Sequence, residues 1–341
     1  ALEEVVTAEP DYIMELVGTA SDTASARQAG GRKSFPSGAP LKAFIPNDPD
    51  FGSQWGLTYI NAPDAWDITM GDPSQVIAII DTGVDLDHPD LVNKIWSNSD
   101  EDPGDGNGDG CPGLCGVDDD GDGLIDEDRN GIQKGEPGWD ASYADDDDEN
   151  GHIDDFQGWD WVSLGDGYED NDPQDDNGHG THCAGIAAAA TNNGVGIAAA
   201  CPLCTVMPLK AFQSSGTASY SDIAKAIDYA RRNGATVISM SFGSYADSSL
   251  VYDALSLAYP TSVLVAAAGN DKVSRFSPSC STGVAPFYPA HISFVVGVEA
   301  GASDGSLAGF SNCQYELRNP GVAILSTVLD NAYTSWSGTS M

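Results

Sequence analysis

Three short stretches carry side chains that could act together on one bond. Asp81 stands in IIDTGVDLDHPDL, His179 in DDNGHGTHCAG and Ser340 in SWSGTSM. A serine hydroxyl is a weak nucleophile until a base takes its proton. An imidazole can be that base, and a carboxylate can fix its tautomer and stabilise the imidazolium that forms. Taken singly, each residue has an ordinary reading: a turn or cap Asp after a strand, a structural His, a surface Ser. His182, three residues past His179, could by itself be a metal ligand. Each stretch is punctuated by glycine, however, and glycine lets backbone approach a reacting group closely. A helix beginning at Ser340 would aim free N–H groups and a positive dipole end at a developing oxyanion.

Such residues need a scaffold. QVIAII (75–80) is an apolar, β-branched run and reads as a buried strand that delivers Asp81 at its carboxyl end. The alanine-rich stretch 181–190 reads as a helix, 205–212 as a strand, and 221–234 as a helix capped by Ser221, with Ile223 and Ile227 on one face and Gly234 as its stop. Strands follow at 236–242, 262–270 and 292–298, with a helix at 248–259 between the first two. Alternating apolar strands and helices imply an α/β fold, a parallel central sheet with helices on both faces. Sites in such folds lie at the carboxyl ends of strands.

With these motifs in view, residues 44–341 resemble the subtilisin-like serine proteases, or subtilases. The order Asp, His, Ser along the chain belongs to that resemblance and adds no independent argument. The resemblance implies Asp81 as orienting acid, His179 as general base and acid, and Ser340 as nucleophile. In AAAGN it implies Asn270 as an oxyanion donor, against the plain reading of a turn Asn after a strand. SMSFGS (239–244) resembles the substrate-binding strand, with Ser239, Ser241, Phe242 and Gly243 in it. Its backbone would pair with an extended peptide. Cys183 is most simply a buried thiol. Residues 1–16 resemble the last part of an inhibitory propeptide, and 17–43, rich in Ser, Ala, Gly and Pro, a linker in which maturation would cut.

The charge is uneven. Of a net charge of −38, residues 98–176 supply 28 acidic and 2 basic side chains. Such a balance excludes a nucleic-acid-binding face, and a local excess that large repels itself unless a cation sits in it. Within the acidic insertion (97–158), DDDGDGLID places Asp118, Asp120, Asp122 and Asp126 at positions 1, 3, 5 and 9 of an EF-hand-like loop. DDDENGHID repeats this with Asp146, Asp148, Asn150 and Asp154. Arg129 and Gln157 stand where the loop's closing Glu belongs, so Asp128 or Asp155 would have to complete the shell. A solvated acidic loop is the competing reading. The family resemblance implies a further calcium site at Asp48, Asp90 and Asn193, with the carbonyls of Thr191, Val195 and Ile197.

Seven cysteines suggest an oxidising compartment, with pairs 111/115, 201/204 and 280/313 and Cys183 left over. A four-cysteine zinc site from the two close pairs is the rival reading. No apolar run is long enough to cross a membrane. Both ends read as cut, and with nothing beyond Met341 to build a helix on Ser340, these 341 residues alone are expected to be inactive or poorly folded. The expected function is that of a secreted, calcium-stabilised serine endopeptidase acting on polypeptides and restrained by its own propeptide. The alternative is a non-catalytic, calcium-binding extracellular module on a protease-like fold.

Overall fold

The computed structural model describes residues 13–16, 43–98, 150–152, 155–162, 169–277 and 283–341. In chain order the strands are β1 (Ile13–Leu16), β2 (Val76–Asp81), β3 (Trp159–Asp160), β4 (Thr205–Lys210), β5 (Thr217–Ser219), β6 (Val237–Met240), β7 (Phe242–Gly243), β8 (Val263–Ala267), β9 (Val296–Gly301), β10 (Leu317–Pro320), β11 (Ile324–Val328) and β12 (Ala332–Trp336). The helices are α1 (Trp55–Tyr59), α2 (Ala62–Trp66), α3 (His179–Ala188), α4 (Tyr220–Arg232) and α5 (Ser249–Ala258).

Seven strands form one parallel sheet in the order β10-β9-β8-β6-β2-β4-β3. β2 lies inside it, parallel to β4 on one side and β6 on the other. All six β2 residues are buried, because the sheet is covered on both faces. Val76, Ala78 and Ile80 point with Met207, Leu209, Ile238 and Met240 into a core shared with α4 and α5. Ile77 and Ile79 point the opposite way, against Cys183, Ala184 and Ala188 of α3. Alternation along an extended strand thus sends one residue set to each helical layer.

Three elements depart from expectation. The strand expected over 236–242 breaks at Ser241 into β6 and β7, which join different sheets. The α4 cap is Ser219, not Ser221: the Ser219 hydroxyl accepts from the Asp222 N–H at 3.1 Å. An N-cap oxygen reaches the N–H three residues on, and Ser-x-x-Asp at 219–222 supplies the partner. The strand expected over 292–298 begins only at Val296. Residues 292–295 form turns instead, with Ile292 N–H on the Pro289 carbonyl and Val295 N–H on that of Ile292.

Two smaller sheets complete the fold. β11 and β12 form an antiparallel hairpin packed on α3. β1 lies antiparallel between β5 and β7, registering Met14 with Ala218 and Glu15 with Gly243. Met14 is buried in the main core, whereas Ile13 is exposed. Cys201 and Cys204 form a disulfide, which withdraws both from the zinc reading. Cys313 is also disulfide-bonded, and among the described residues Cys183 is the free, buried cysteine. Cys111, Cys115 and Cys280 lie outside the described residues. No helix among the described residues is long and apolar enough to cross a membrane.

Candidate active site

Asp81 ends β2, and its carboxylate is wholly buried. Oδ1 accepts from the Thr82 N–H at 2.8 Å. Behind it, the buried Lys210 ammonium donates to the carbonyls of Thr82 (2.8 Å) and Phe212 (3.3 Å) and to Asp176 (2.8 Å). The turn that carries Asp81 is therefore tied from beneath by a charge that is itself fully coordinated.

His179 opens α3, and its Nδ1–H donates to both Asp81 oxygens, at 2.8 and 2.9 Å. That bond assigns the tautomer and leaves Nε2 as the basic nitrogen. Nε2 is buried and has no hydrogen-bond partner among the described residues. The contact depends on a very close approach of α3 to the β2 turn. A Cβ added to Gly180 would lie 2.0 Å from the Gly83 carbonyl oxygen, so no other residue fits there without moving the helix. Gly178, just before His179, has φ +99°, the left-handed region that glycine enters freely.

The electrostatics of the two neighbouring rings diverge. Burial pushes the His179 imidazolium down, but the Asp81 carboxylate, with the Cys183 side chain adding to it, holds the ring well above its ordinary value. Burial, reinforced by the charge of His179, pushes His182 down to about 3. His182 is fully buried, bonds the Thr334 carbonyl through Nε2 and stacks on Trp336 at 4.7 Å. It is a neutral core ring, not a ligand partner of His179.

Ser340 reaches the same region from the far end of the chain. It stands in a turn, not at the start of a helix, because only Met341 follows it in this sequence and a helical turn needs an acceptor–donor pair four residues apart. Its Oγ–H donates to the Ser241 carbonyl at 3.0 Å, and its own carbonyl accepts from Ser241 Oγ at 3.1 Å. Cys183 Sγ lies 4.0 Å from His179 Nδ1 and 3.6 Å from the Ser340 carbonyl oxygen. The two residues thus flank one sulfur atom, and the serine hydroxyl is held by the Ser241 carbonyl just before β7.

Asn270 follows β8, and its Oδ1 accepts from both the N–H and the hydroxyl of Thr339, at 3.0 and 3.1 Å. The Thr339 hydroxyl also accepts from Gly269 N–H at 3.0 Å. These bonds fix which end of the Asn270 amide is the donor. Thr339 was not among the sequence candidates; its place between Gly338 and Ser340 was the available signal.

The expected substrate residues divide. Phe242 and Gly243 form β7 and pair with Leu16 and Glu15. Ser241 sits between β6 and β7 beside Ser340. Ser239 lies within the central sheet, opposite Ile79 and Val265, and lines a cavity of about 190 Å³ with Ser241 and Ser340. A second cavity, of about 470 Å³, is bounded by Leu16, Asn177, His179, Gly216 and Trp336.

Asp48, Asp90 and Asn193 converge away from this centre. Asp48 accepts from the N–H groups of Asn192 (2.7 Å) and Asn193 (3.1 Å). Asp90 accepts from Asn193 Nδ2 (2.8 Å), Ile197 N–H (3.0 Å) and the Tyr333 hydroxyl (2.9 Å). Both carboxylates are buried. Asn193 turns its Nδ2 toward Asp90, while its Oδ1 accepts from the Val195 N–H at 2.9 Å. Of the ligands proposed for the EF-hand-like loops, Asn150 and Asp155 are among the described residues; Asn150 Oδ1 accepts from His152, and its Nδ2 donates to Asp155. Asp118, Asp120, Asp122, Asp126, Asp146, Asp148 and Asp154 lie outside the described residues.

A family model described as the Subtilase family matches residues 72–341. Thermitase of Thermoactinomyces vulgaris is 33% identical over 302 residues, which cover 87% of this chain and 81% of thermitase. The thermophilic serine proteinase of Bacillus sp. (strain AK1) is 34% identical over 303 residues, covering 88% of this chain and 57% of that protein. Halolysin of Haloferax mediterranei is 35% identical over 302 residues, covering 87% of this chain and 45% of halolysin. The chain therefore spans about half the length of the latter two. A match across that span, with a relative a third identical along most of both chains, makes this chain a member of the subtilase family.

Proposed function

We propose that the protein is a secreted serine endopeptidase in which Asp81, His179 and Ser340 form the catalytic triad. The observation that carries this reading is the two-oxygen grip of Asp81 on His179 Nδ1, with Nε2 left basic, while Cys183 Sγ touches both this ring and the Ser340 carbonyl oxygen. In the reaction the Ser340 hydroxyl leaves the Ser241 carbonyl, gives its proton to Nε2 and attacks the scissile carbonyl. The imidazolium so formed is stabilised by Asp81 and then protonates the leaving amine. The Asn270 amide, held by Thr339, donates to the developing oxyanion. Because Asp81 raises the basicity of His179, hydrolysis is expected to switch on above the ordinary histidine range.

The way β1 lies supports a peptide substrate and an internal inhibitor. An extended segment already occupies the gap between β5 and β7 by main-chain pairing, with Met14 buried and Leu16 against Gly216. A polypeptide substrate would enter the same gap, and residues 1–16 would block it as a propeptide. Calcium is proposed at Asp48, Asp90 and Asn193 and in the two acidic loops, where it would tie loop to core and neutralise the local charge excess.

The test is labelling of the full-length protein with a fluorophosphonate probe, followed by peptide mapping. The expected result is a single adduct on Ser340 that Ser340→Ala abolishes. A folded protein that gives no adduct would favour the non-catalytic module.

A further inference from the structure

Asp81 and His179 sit on separate segments, 98 residues apart, and something must set the distance between them. Asp175 touches both. Its N–H donates to the Val84 carbonyl at 3.2 Å, three residues past Asp81. Its carboxylate gathers the segment that carries His179. Oδ1 accepts from the N–H groups of Asn177 and Gly178, both at 2.9 Å. Oδ2 accepts from the Thr181 N–H at 2.9 Å and from the Thr181 hydroxyl at 2.5 Å. The Thr181 hydroxyl oxygen in turn accepts from the Asp85 N–H at 2.9 Å, which returns the network to the Asp81 turn. Asp175 is 4% exposed, so these bonds face little competition from water.

We propose that Asp175 is a positioning residue: its carboxylate clamps the first turn of α3 to the segment after β2 and thereby holds the His179 ring on Asp81. It deepens the peptidase reading, since it names what sets the geometry of the proposed base. The bonds serve more than helix capping. Capping needs acceptors for the free N–H groups of α3, whereas this carboxylate is also bolted by its own N–H, and through Thr181, to the partner segment. Burial raises the Asp175 carboxyl against the pull of its four donors.

The clamp is read on the imidazole itself, whether or not the protein hydrolyses peptides. The groups facing His179 are Asp81 from β2 and Cys183 and His182 from α3; those around Asp175 are Asp85, and Asp176 paired with Lys210. The full-length protein, ¹⁵N-labelled at histidine, is titrated by NMR as wild type, Asp175→Asn, Thr181→Val and Thr181→Ser, with circular dichroism as the fold check. Asp175→Asn removes a charge as well as an acceptor; Thr181→Val changes no charge. Loosening the grip of Asp81 should lower the His179 titration midpoint by about one unit in Asp175→Asn. A smaller fall is expected in Thr181→Val, with recovery in Thr181→Ser. A fall in Asp175→Asn but none in a folded Thr181→Val would reduce Asp175 to a through-space charge and overturn the proposal. An unmoved midpoint in both would overturn it too. Should Asp175→Asn fail to fold, Thr181→Val decides alone. Peptidase assays on the same samples fail separately: no hydrolysis by wild type sinks the enzymatic reading and leaves the titration to judge the clamp.

Discussion

Asp81 and His179 are fixed by main chain, burial and close packing, whereas Ser340 and Asn270 hang from a turn by side-chain bonds. On the first side, β2 is sandwiched in the sheet, Gly180 meets Gly83 with no room for a Cβ, and Asp175 ties both segments together. On the second, Thr339 holds Asn270, and Ser340 and Ser241 exchange hydroxyl-to-carbonyl bonds at 3.0 and 3.1 Å. The difference teaches that one centre can be positioned in two ways. Asp81 and His179 are held by packing that admits no larger residue, as at Gly180, whereas Asn270 and Ser340 are held by directed bonds to Thr339 and Ser241. Both kinds of support orient groups before substrate arrives.

The largest test of this division is to delete one chemical group on each side. Ser340→Ala should lower kcat by on the order of 10⁶, and Asp81→Asn by about 10⁴, since the mispositioned ring still leaves a nucleophile in place. Both should be measured on the full-length protein with a peptide substrate, with thermal melts alongside. If both variants retained near wild-type turnover, neither side would be catalytic. Asn270→Ala should come next, costing about 10²–10³ in kcat with little change in KM, because its donor acts on charge present only in the transition state.

A smaller change sharpens the second side alone. Thr339→Val removes the hydroxyl that donates to Asn270 and accepts from Gly269 while keeping the side chain's shape. If Thr339 acts by orienting Asn270, kcat should fall about tenfold, within the range for losing one hydrogen bond. The loss should vanish in the Asn270→Ala background. Additive losses in the double variant would show that Thr339 acts on something other than Asn270.

What the sequence made legible follows the same line. Glycine-punctuated motifs marked both sides, because a close approach leaves few residue choices: Gly180 is forced by the Gly83 carbonyl and can be read from one chain. The parallel sheet was legible from its uniformly apolar strands, since burial on both faces admits little else. Contacts between distant segments left weaker marks. Nothing local in Asp175 says that its carboxylate collects four donors, and nothing in β11 and β12 says that the hairpin packs on α3. The cap of α4 was missed between two serines two residues apart. The deciding sign was Asp222, three residues after Ser219.

The last contrast is between the two rings of α3, whose shifts have opposite sign. His179 titrates above its ordinary value in the fold, so its contribution to stability is fully present below about pH 6.5 and is lost as pH rises through its folded value. His182 titrates at about 3, so its contribution is present above about pH 6.5 and is lost as pH falls toward 3. A shift of that size corresponds to roughly 3–5 kcal/mol across the interval. Many carboxylates also protonate there, so the decisive quantity is a difference in slope and not a melting temperature. His182→Gln cannot take up a proton. It should lower stability at neutral pH through the lost stacking on Trp336, yet flatten the fall in unfolding free energy between pH 6.5 and 3 relative to wild type. Urea titrations at several pH values would measure this. Parallel slopes for the two proteins would mean that His182 is not held neutral by its burial, and that the contrast between the rings does not exist.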